Sequence, residues 1–114
     1  MEKILTIDGR QVKFKSTGAY LLRYKAQFKR DALQDIYKLQ KAINENNEIT
    51  NIEALDLEVF YNLIWTLAKT ADPNLPEPFE WLDSFDSFPL MDIIPELTDL
   101  IFSCLTSTVE SKKK

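Results

Sequence analysis

The feature that most constrains the fold is the dipeptide Asp8-Gly9, which stands between two short β-prone runs near the start of the chain. Asp-Gly favours a type I′ hairpin turn, because both central residues of that turn need positive φ. The turn fixes the strand register, and the register predicts one apolar face. Its members are Leu5, Ile7, Val12 and Phe14.

A lone two-stranded hairpin is marginally stable in water, so this face must rest on helices or pair with another strand. The outer edges of a hairpin are open to pairing. We therefore expect Ile4, Thr6 and Lys13 to lie along edges through which a second copy can pair. Head-to-tail repetition of that kind would build rings or filaments.

The next segment shows helical rather than strand periodicity. Ser16-Thr17 can cap a helix beginning near Gly18, and Tyr20, Tyr24 and Phe28 recur at spacings of four. A second helical stretch follows from Asp31. We expect it to turn Leu33, Ile36, Tyr37 and Ile43 inward. Whether the chain breaks between residues 28 and 31 stays open.

The strongest helical pattern runs from Thr50 to Ala71, and it opens on a capping-box pattern, Thr50-x-x-Glu53. A short helix is predicted over residues 79–85. The last helix is predicted over residues 89–106, with a kink or restart at Pro95.

The expected fold is therefore α+β, with the hairpin packed on four or five helices. Residues 1–108 form one domain, and residues 109–114 form a flexible basic tail.

The composition excludes several classes of enzyme. The chain has no His and one cysteine, Cys104, so it has neither an imidazole base nor an internal disulfide. With two glycines it has no glycine-rich phosphate loop. We expect a non-enzymatic protein without cofactor or metal. Cys104 is interpreted as a small buried hydrophobe, with an exposed thiol as the alternative.

Charge and hydropathy restrict the partners and the compartment. The net charge is −4, and an acidic protein is repelled by nucleic acid and by anionic membranes. No apolar run approaches the ~20 residues that a membrane-spanning helix needs. The first residues lack the long apolar core of a secretory signal, so we expect a cytosolic protein.

Clusters of charged residues each have a functional and a structural interpretation. Asp83 and Asp86 lie among aromatic residues and can form an acid pair, but exposed acids at a helix end are the favoured interpretation. Three acids on the last helix can form a metal-binding face or simply its solvated side; they are Asp92, Glu96 and Asp99. Four basic residues in the first helical region fit a nucleic-acid contact or, preferably, a polar helix face; they are Arg23, Lys25, Lys29 and Arg30.

Three large aromatic residues are the candidates for partner binding. Trp65 lies beside the main apolar stripe of its helix, so it either flanks the core or is exposed, and Trp81 has the same ambiguity. Large aromatic side chains anchor many interfaces. We therefore choose Trp65, Trp81 and Phe85 as candidate partner-binding residues.

The order of several segments resembles the tail assembly chaperones of siphophages and prophages of Gram-positive bacteria. The resemblance begins with residues 4–14 around Asp8-Gly9. It continues through residues 23–31 (RYKAQFKRD), 61–73 (YNLIWTLAKTADP) and 79–85 (FEWLDSF), and ends with the apolar last helix. It covers about residues 4–106, and it rests on order and spacing rather than on one diagnostic motif.

The resemblance implies a non-enzymatic factor that coats the long apolar helices of the tape measure protein. It also implies possible recruitment of the major tail protein, action in the host cytoplasm and absence from the mature virion. Many family members have a longer form made by ribosomal frameshifting. The lysines at 112–114 are compatible with an adenine-rich slippery site or with a solubilising tail.

Two other functions remain open at this stage. One is a structural tail-completion or connector protein, which would stay in purified particles. The other is an acidic inhibitor of a host enzyme that binds nucleic acid. The second would need a continuous acidic stripe, whereas here lysines and acids are interspersed.

Overall fold

The computed structural model describes residues 1–44, 46, 48–51, 53 and 56–105. They form an antiparallel β-hairpin packed on five α-helices, which confirms the predicted α+β fold. The proposed domain end at residue 108 and the basic tail lie outside the described residues. In chain order the elements are β1 (Glu2–Ile7), β2 (Arg10–Lys15), α1 (Tyr20–Phe28), α2 (Ala32–Gln40), α3 (Leu57–Ala71), α4 (Pro78–Asp83), α5 (Leu90–Ile101) and a 3-10 turn (Phe102–Leu105).

The hairpin has the predicted turn and register. Asp8 and Gly9 have φ values of 52° and 74°, as a type I′ turn requires. Leu5 pairs with Val12. On the inward face Ile7, Val12 and Phe14 are buried and Leu5 is half-buried.

Helix α3 is the central element of the fold. Strand β2 and helices α1 and α5 all pack against it. Because neighbours cover it on several sides, α3 is apolar around most of its circumference rather than along one stripe. Its fully buried side chains include Phe60, Leu63, Ile64 and Leu67.

The predicted start of this helix is wrong, whereas its predicted end at Ala71 is confirmed. Asp56 is the N-cap, and its carboxylate accepts a hydrogen bond from the Val59 N–H at 3.3 Å. Thr50 instead donates its backbone N–H to the Ala42 carbonyl at 2.8 Å, which ties residue 50 to the end of α2. Ile52 and Leu55, which the prediction placed on the helix, lie outside the described residues.

A clear break separates α1 from α2. Lys29 follows α1 in the left-handed conformation, with φ of 60°, and Asp31 caps α2 by accepting from the Leu33 N–H at 2.9 Å. The expectation that Leu33 and Tyr37 turn inward is wrong, because both are exposed. Helix α2 packs on one side only, and its buried stripe consists of Ala32, Asp35, Ile36 and Leu39.

Helix α5 continues through Pro95 without a restart. Proline cannot donate to the carbonyl of the residue four positions earlier, which is Met91. Met91 is exposed, so solvent can reach this part of the helix and hydrate that carbonyl. The helical spacing of Ile93, Ile94, Leu97, Ile101 and Leu105 predicts an inward side; the first four are buried, and Leu105 in the 3-10 turn is half-buried. The helix ends at Ile101, and Thr106, its predicted end, lies outside the described residues.

None of the helices in the described ranges is both long and apolar enough to cross a lipid bilayer.

Candidate functional site

The three aromatic residues chosen from the sequence are not surface anchors. Trp65, Trp81 and Phe85 are 3%, 2% and 7% exposed. The link after α3 crosses the Trp65 ring, and the indole N–H donates to the Pro76 carbonyl at 2.9 Å. A position beside the main stripe of α3 is therefore still interior, because this link covers it. All three side chains are buried, and their role in partner binding stays a prediction.

Phe85 belongs to a contact that attaches the tip of the hairpin to the segment after α4. The Arg10 guanidinium lies 3.9 Å from the centroid of the Phe85 ring and donates to the Ser84 hydroxyl at 2.9 Å. The Asp8 carboxylate accepts from the Asp86 N–H at 2.9 Å. Asp86 thus contributes its backbone rather than its carboxyl, in agreement with exposed acids at a helix end.

A groove of about 1070 Å³ lies between the end of α1, the start of α3 and α4. Phe79 stands at its edge with 85% of its side chain exposed, and Leu57 is 49% exposed on the opposite wall. Water is in contact with these large apolar surfaces, although burying them would be favourable. The apolar residues lining the groove are Phe28, Leu57, Tyr61, Phe79, Leu82 and Phe88.

The buried tryptophans support the base of this groove. Phe28 packs edge-on against Trp65 with ring centroids 5.7 Å apart, and Phe88 packs in the same way against Trp81 at 5.6 Å. The rings of Tyr61 and Phe88 lie 6.1 Å apart. Trp65 and Trp81 therefore lie one layer beneath the surface of the groove.

Phe79 was missed, although a local signal for it exists. Pro78 occupies the first turn of α4, and Trp81 is the buried residue of this short helix. A residue two positions before Trp81 is rotated by about 200° around a helix axis, because each residue adds about 100°. A buried Trp81 therefore directs Phe79 to solvent.

The rim of the groove is polar, and three of the described residues that line it are acids. Glu58 lies on the α3 wall, and Glu77 and Asp83 lie at the two ends of α4. Glu77 accepts a hydrogen bond from the Gln27 side-chain amide at 2.8 Å. Arg30 also lines the groove.

Arg30 is held by a buried carboxylate. Its Nε and one terminal nitrogen each donate to Asp35 at 2.8 Å, and the Tyr24 hydroxyl donates to the same carboxylate at 2.7 Å. Burial of Asp35 raises its pKa, but the bonds from Arg30 and Tyr24 outweigh burial and hold that pKa below its ordinary value. One member of the predicted basic cluster is thus paired within the fold, and it lies in the break between α1 and α2 rather than on a helix face.

A second cavity of about 770 Å³ lies between the start of α1 and the 3-10 turn. Tyr20 and Cys104 both line it, and the buried Tyr20 hydroxyl has no hydrogen-bond partner among the residues that the structure describes. Burial raises the pKa of the half-buried Cys104 thiol, which keeps it protonated and weakly nucleophilic.

No group of three or more potential metal ligands occurs within the described ranges. Asp92, Glu96 and Asp99 are exposed, as expected for the solvated side of α5, and Glu96 accepts from the Lys3 ammonium at 2.9 Å.

The hairpin presents two open edges. Met1 and Ser16 exchange backbone hydrogen bonds of 2.9 and 3.3 Å, so they form a hydrogen-bonded pair. Along an antiparallel hairpin, hydrogen-bonded pairs alternate with pairs whose backbone groups point outward. In that alternation Ile4 and Thr6 direct their backbone groups away from β2, and Lys13 directs its groups away from β1. Neither strand has a further strand neighbour within the described part of the chain.

Comparison of the chain with known protein families, with characterised proteins and with solved structures gave no match.

Proposed function

We propose that this chain is a non-enzymatic phage tail assembly chaperone, and that its groove holds an apolar helix of the tape measure protein during tail morphogenesis. The proposal joins the resemblance of its segments to that family with a surface suited to the task. The observation that carries it is Phe79, an aromatic side chain 85% exposed at the edge of an aromatic groove. Apolar grooves of this kind accept the apolar stripe of an amphipathic helix.

The groove has features of a binding surface with a supported base. Its wall residues come from α1, α3, α4 and the link after α4, and edge-on aromatic contacts to Trp65 and Trp81 support Phe28 and Phe88. A rigid surface loses little conformational entropy on binding. The tape measure helix is the proposed occupant, the major tail protein is a second proposed partner, and the host cytoplasm is the proposed compartment.

The test is co-expression with the tape measure protein encoded in the same gene cluster. Wild-type chain should keep that protein soluble and co-purify with it. Phe79→Ala should lower the recovered complex at least several-fold, because it removes the aromatic side chain at the groove edge. Leu22→Ala is the matched control, since Leu22 is 73% exposed on α1 but does not line the groove.

Equal recovery with both variants would contradict the groove as the binding surface. Detection of the chain in purified virions at a fixed stoichiometry would contradict the chaperone proposal and favour a tail-completion or connector protein.

A further inference from the structure

We propose that the groove selects helices carrying basic side chains beside their apolar stripe. This inference rests on the proposed function, because it specifies which helices the same groove prefers. It follows from the rim rather than from the aromatic base. Three carboxylates border the apolar surface, and they belong to Glu58, Glu77 and Asp83.

The carboxylates of the rim take part in no ion pair among the described residues. The three ion pairs among the described residues are Lys3–Glu96, Lys13–Glu2 and Arg30–Asp35, so none of them uses a rim acid. Glu77 accepts from the neutral Gln27, which leaves its charge uncompensated.

Among the described residues, Arg30 is the one cation that lines the groove, and it does not cancel this charge. Arg30 makes a two-point contact with Asp35 at 2.8 Å for each bond, and this pair is neutral as a unit. Glu58 acts on Arg30 from the α3 side and contributes to its raised pKa. The described lining therefore has a net negative charge, and an occupant with positive flanks complements it.

The positions of the acids predict how far apart the basic residues of the partner helix should be. Glu77 and Asp83 are six residues apart, which is about 9 Å along a helix axis at 1.5 Å per residue. Glu58 stands on the opposite wall, one turn before Tyr61. A helix lying along α4 would reach both ends of α4 with basic residues seven positions apart, which share one face and are separated by about 10.5 Å along the axis. Its apolar stripe would then face Phe79 and Tyr61.

Electrostatic selectivity of this kind is modest but measurable. Each exposed ion pair is worth a fraction of a kcal/mol, so three together amount to roughly a tenfold preference at low salt. The screening length falls from about 10 Å at 0.1 M salt to about 3 Å at 1 M. The preference should therefore disappear at high salt, whereas apolar binding should persist.

The experiment uses three fluorescent helical peptides of about 18 residues, or about 27 Å. They share one apolar stripe and carry Lys, Gln or Glu at the flanking positions. With the full chain at low salt, the Lys peptide should bind about tenfold more tightly than the Gln peptide, and the Glu peptide should bind most weakly. Near 1 M salt the three affinities should converge.

The variant Glu58→Gln/Glu77→Gln/Asp83→Asn should abolish this order and leave the affinity for the Gln peptide within about twofold. The control Glu80→Gln/Asp92→Asn/Asp99→Asn changes net charge by the same amount on exposed residues that do not line the groove. It should retain the preference. Loss of the preference in the control would assign it to total charge and overturn the inference.

The remaining outcomes separate the two proposals. If wild type binds all three peptides equally and Phe79→Ala binds none of them, the inference is overturned. The proposed function of the groove would still stand. Absence of binding by any peptide would count against the groove itself. Self-association that Phe79→Ala abolishes would identify a second copy as the occupant and overturn both.

Discussion

Tyr20 and Tyr24 show how much a single hydroxyl matters in this core. The two residues are one helical turn apart on α1, and both are fully buried. Tyr24→Phe should lower the free energy of unfolding by about 1 kcal/mol, because it removes a donor to the Asp35 carboxylate. Tyr20→Phe should be neutral or stabilising, because its hydroxyl is buried without a described partner. Urea unfolding of both variants checks this, and equal losses would contradict it.

Asp35 should make stability sensitive to acid. Its folded-state pKa lies below the ordinary value of 3.8, so its stabilising contribution is complete above pH 3.8 and is lost as pH falls through the lowered pKa. Asp35→Asn should be less stable than wild type at pH 7, and the difference should shrink below pH 3.8. Asp99→Asn, which changes an exposed acid, is the control. A difference that stays constant with pH would contradict the assignment.

The Arg30–Asp35 pair also marks a limit of sequence reasoning at the residue scale. The sequence groups Arg30 with its basic neighbours, and it gives no signal for the pair with Asp35, since a spacing of five does not place two side chains on one face of a continuous helix. Arg30 lies in the break after the left-handed Lys29 and just before the N-cap Asp31, so it is outside the helix that carries Asp35. That break depends on tertiary packing and has no sequence signal as strong as Asp8-Gly9.

At the scale of elements, the start of α3 can be tested directly. Asp56→Ala should destabilise the fold by about 1 kcal/mol, because it removes the carboxylate that accepts from Val59. Thr50→Ala should have a much smaller effect, since Thr50 contributes a backbone N–H that alanine retains. Thermal or urea unfolding distinguishes the two. A larger loss from Thr50→Ala would restore the capping box read from the sequence.

The elements that could be predicted from the sequence are those whose structure is determined by a few neighbouring residues. The hairpin register depends on two turn residues, and the end of α3 depends on Asp72-Pro73, so both predictions are confirmed. The exposure of Leu33 and Tyr37 depends on which side of α2 meets the core, which hydropathy alone does not reveal. Phe79 was missed for the same reason, since aromatic residues at a binding surface and in a core have the same hydropathy.

At the scale of the whole molecule, we propose that open hairpin edges join copies head to tail. Thr6→Pro removes an outward N–H from β1, and Lys13→Pro removes one from β2. If β1 of one copy pairs with β2 of the next, each variant alone should be monomeric. An equimolar mixture should then form a dimer through the two unblocked edges, as measured by light scattering.

Thr6→Val and Lys13→Val keep the N–H groups and serve as controls that should assemble as wild type does. Unchanged assembly by Lys13→Pro alone would indicate β1–β1 pairing instead. A monodisperse wild-type monomer at high concentration, with and without client, would contradict self-association.

The hairpin attachments also determine when the fold can be completed during synthesis. Lys3, Asp8 and Arg10 leave the ribosome first, yet their partners Glu96, Asp86 and Ser84 follow 93, 78 and 74 residues later. At about 5–20 residues per second this delay is roughly 4–20 s. Helix α3, on which β2 packs, is complete only at residue 71, so for much of that interval the nascent hairpin lacks its main support and its open strand edges are exposed to other emerging chains. Adjacent chains on one polysome therefore meet while their hairpins are still unsupported.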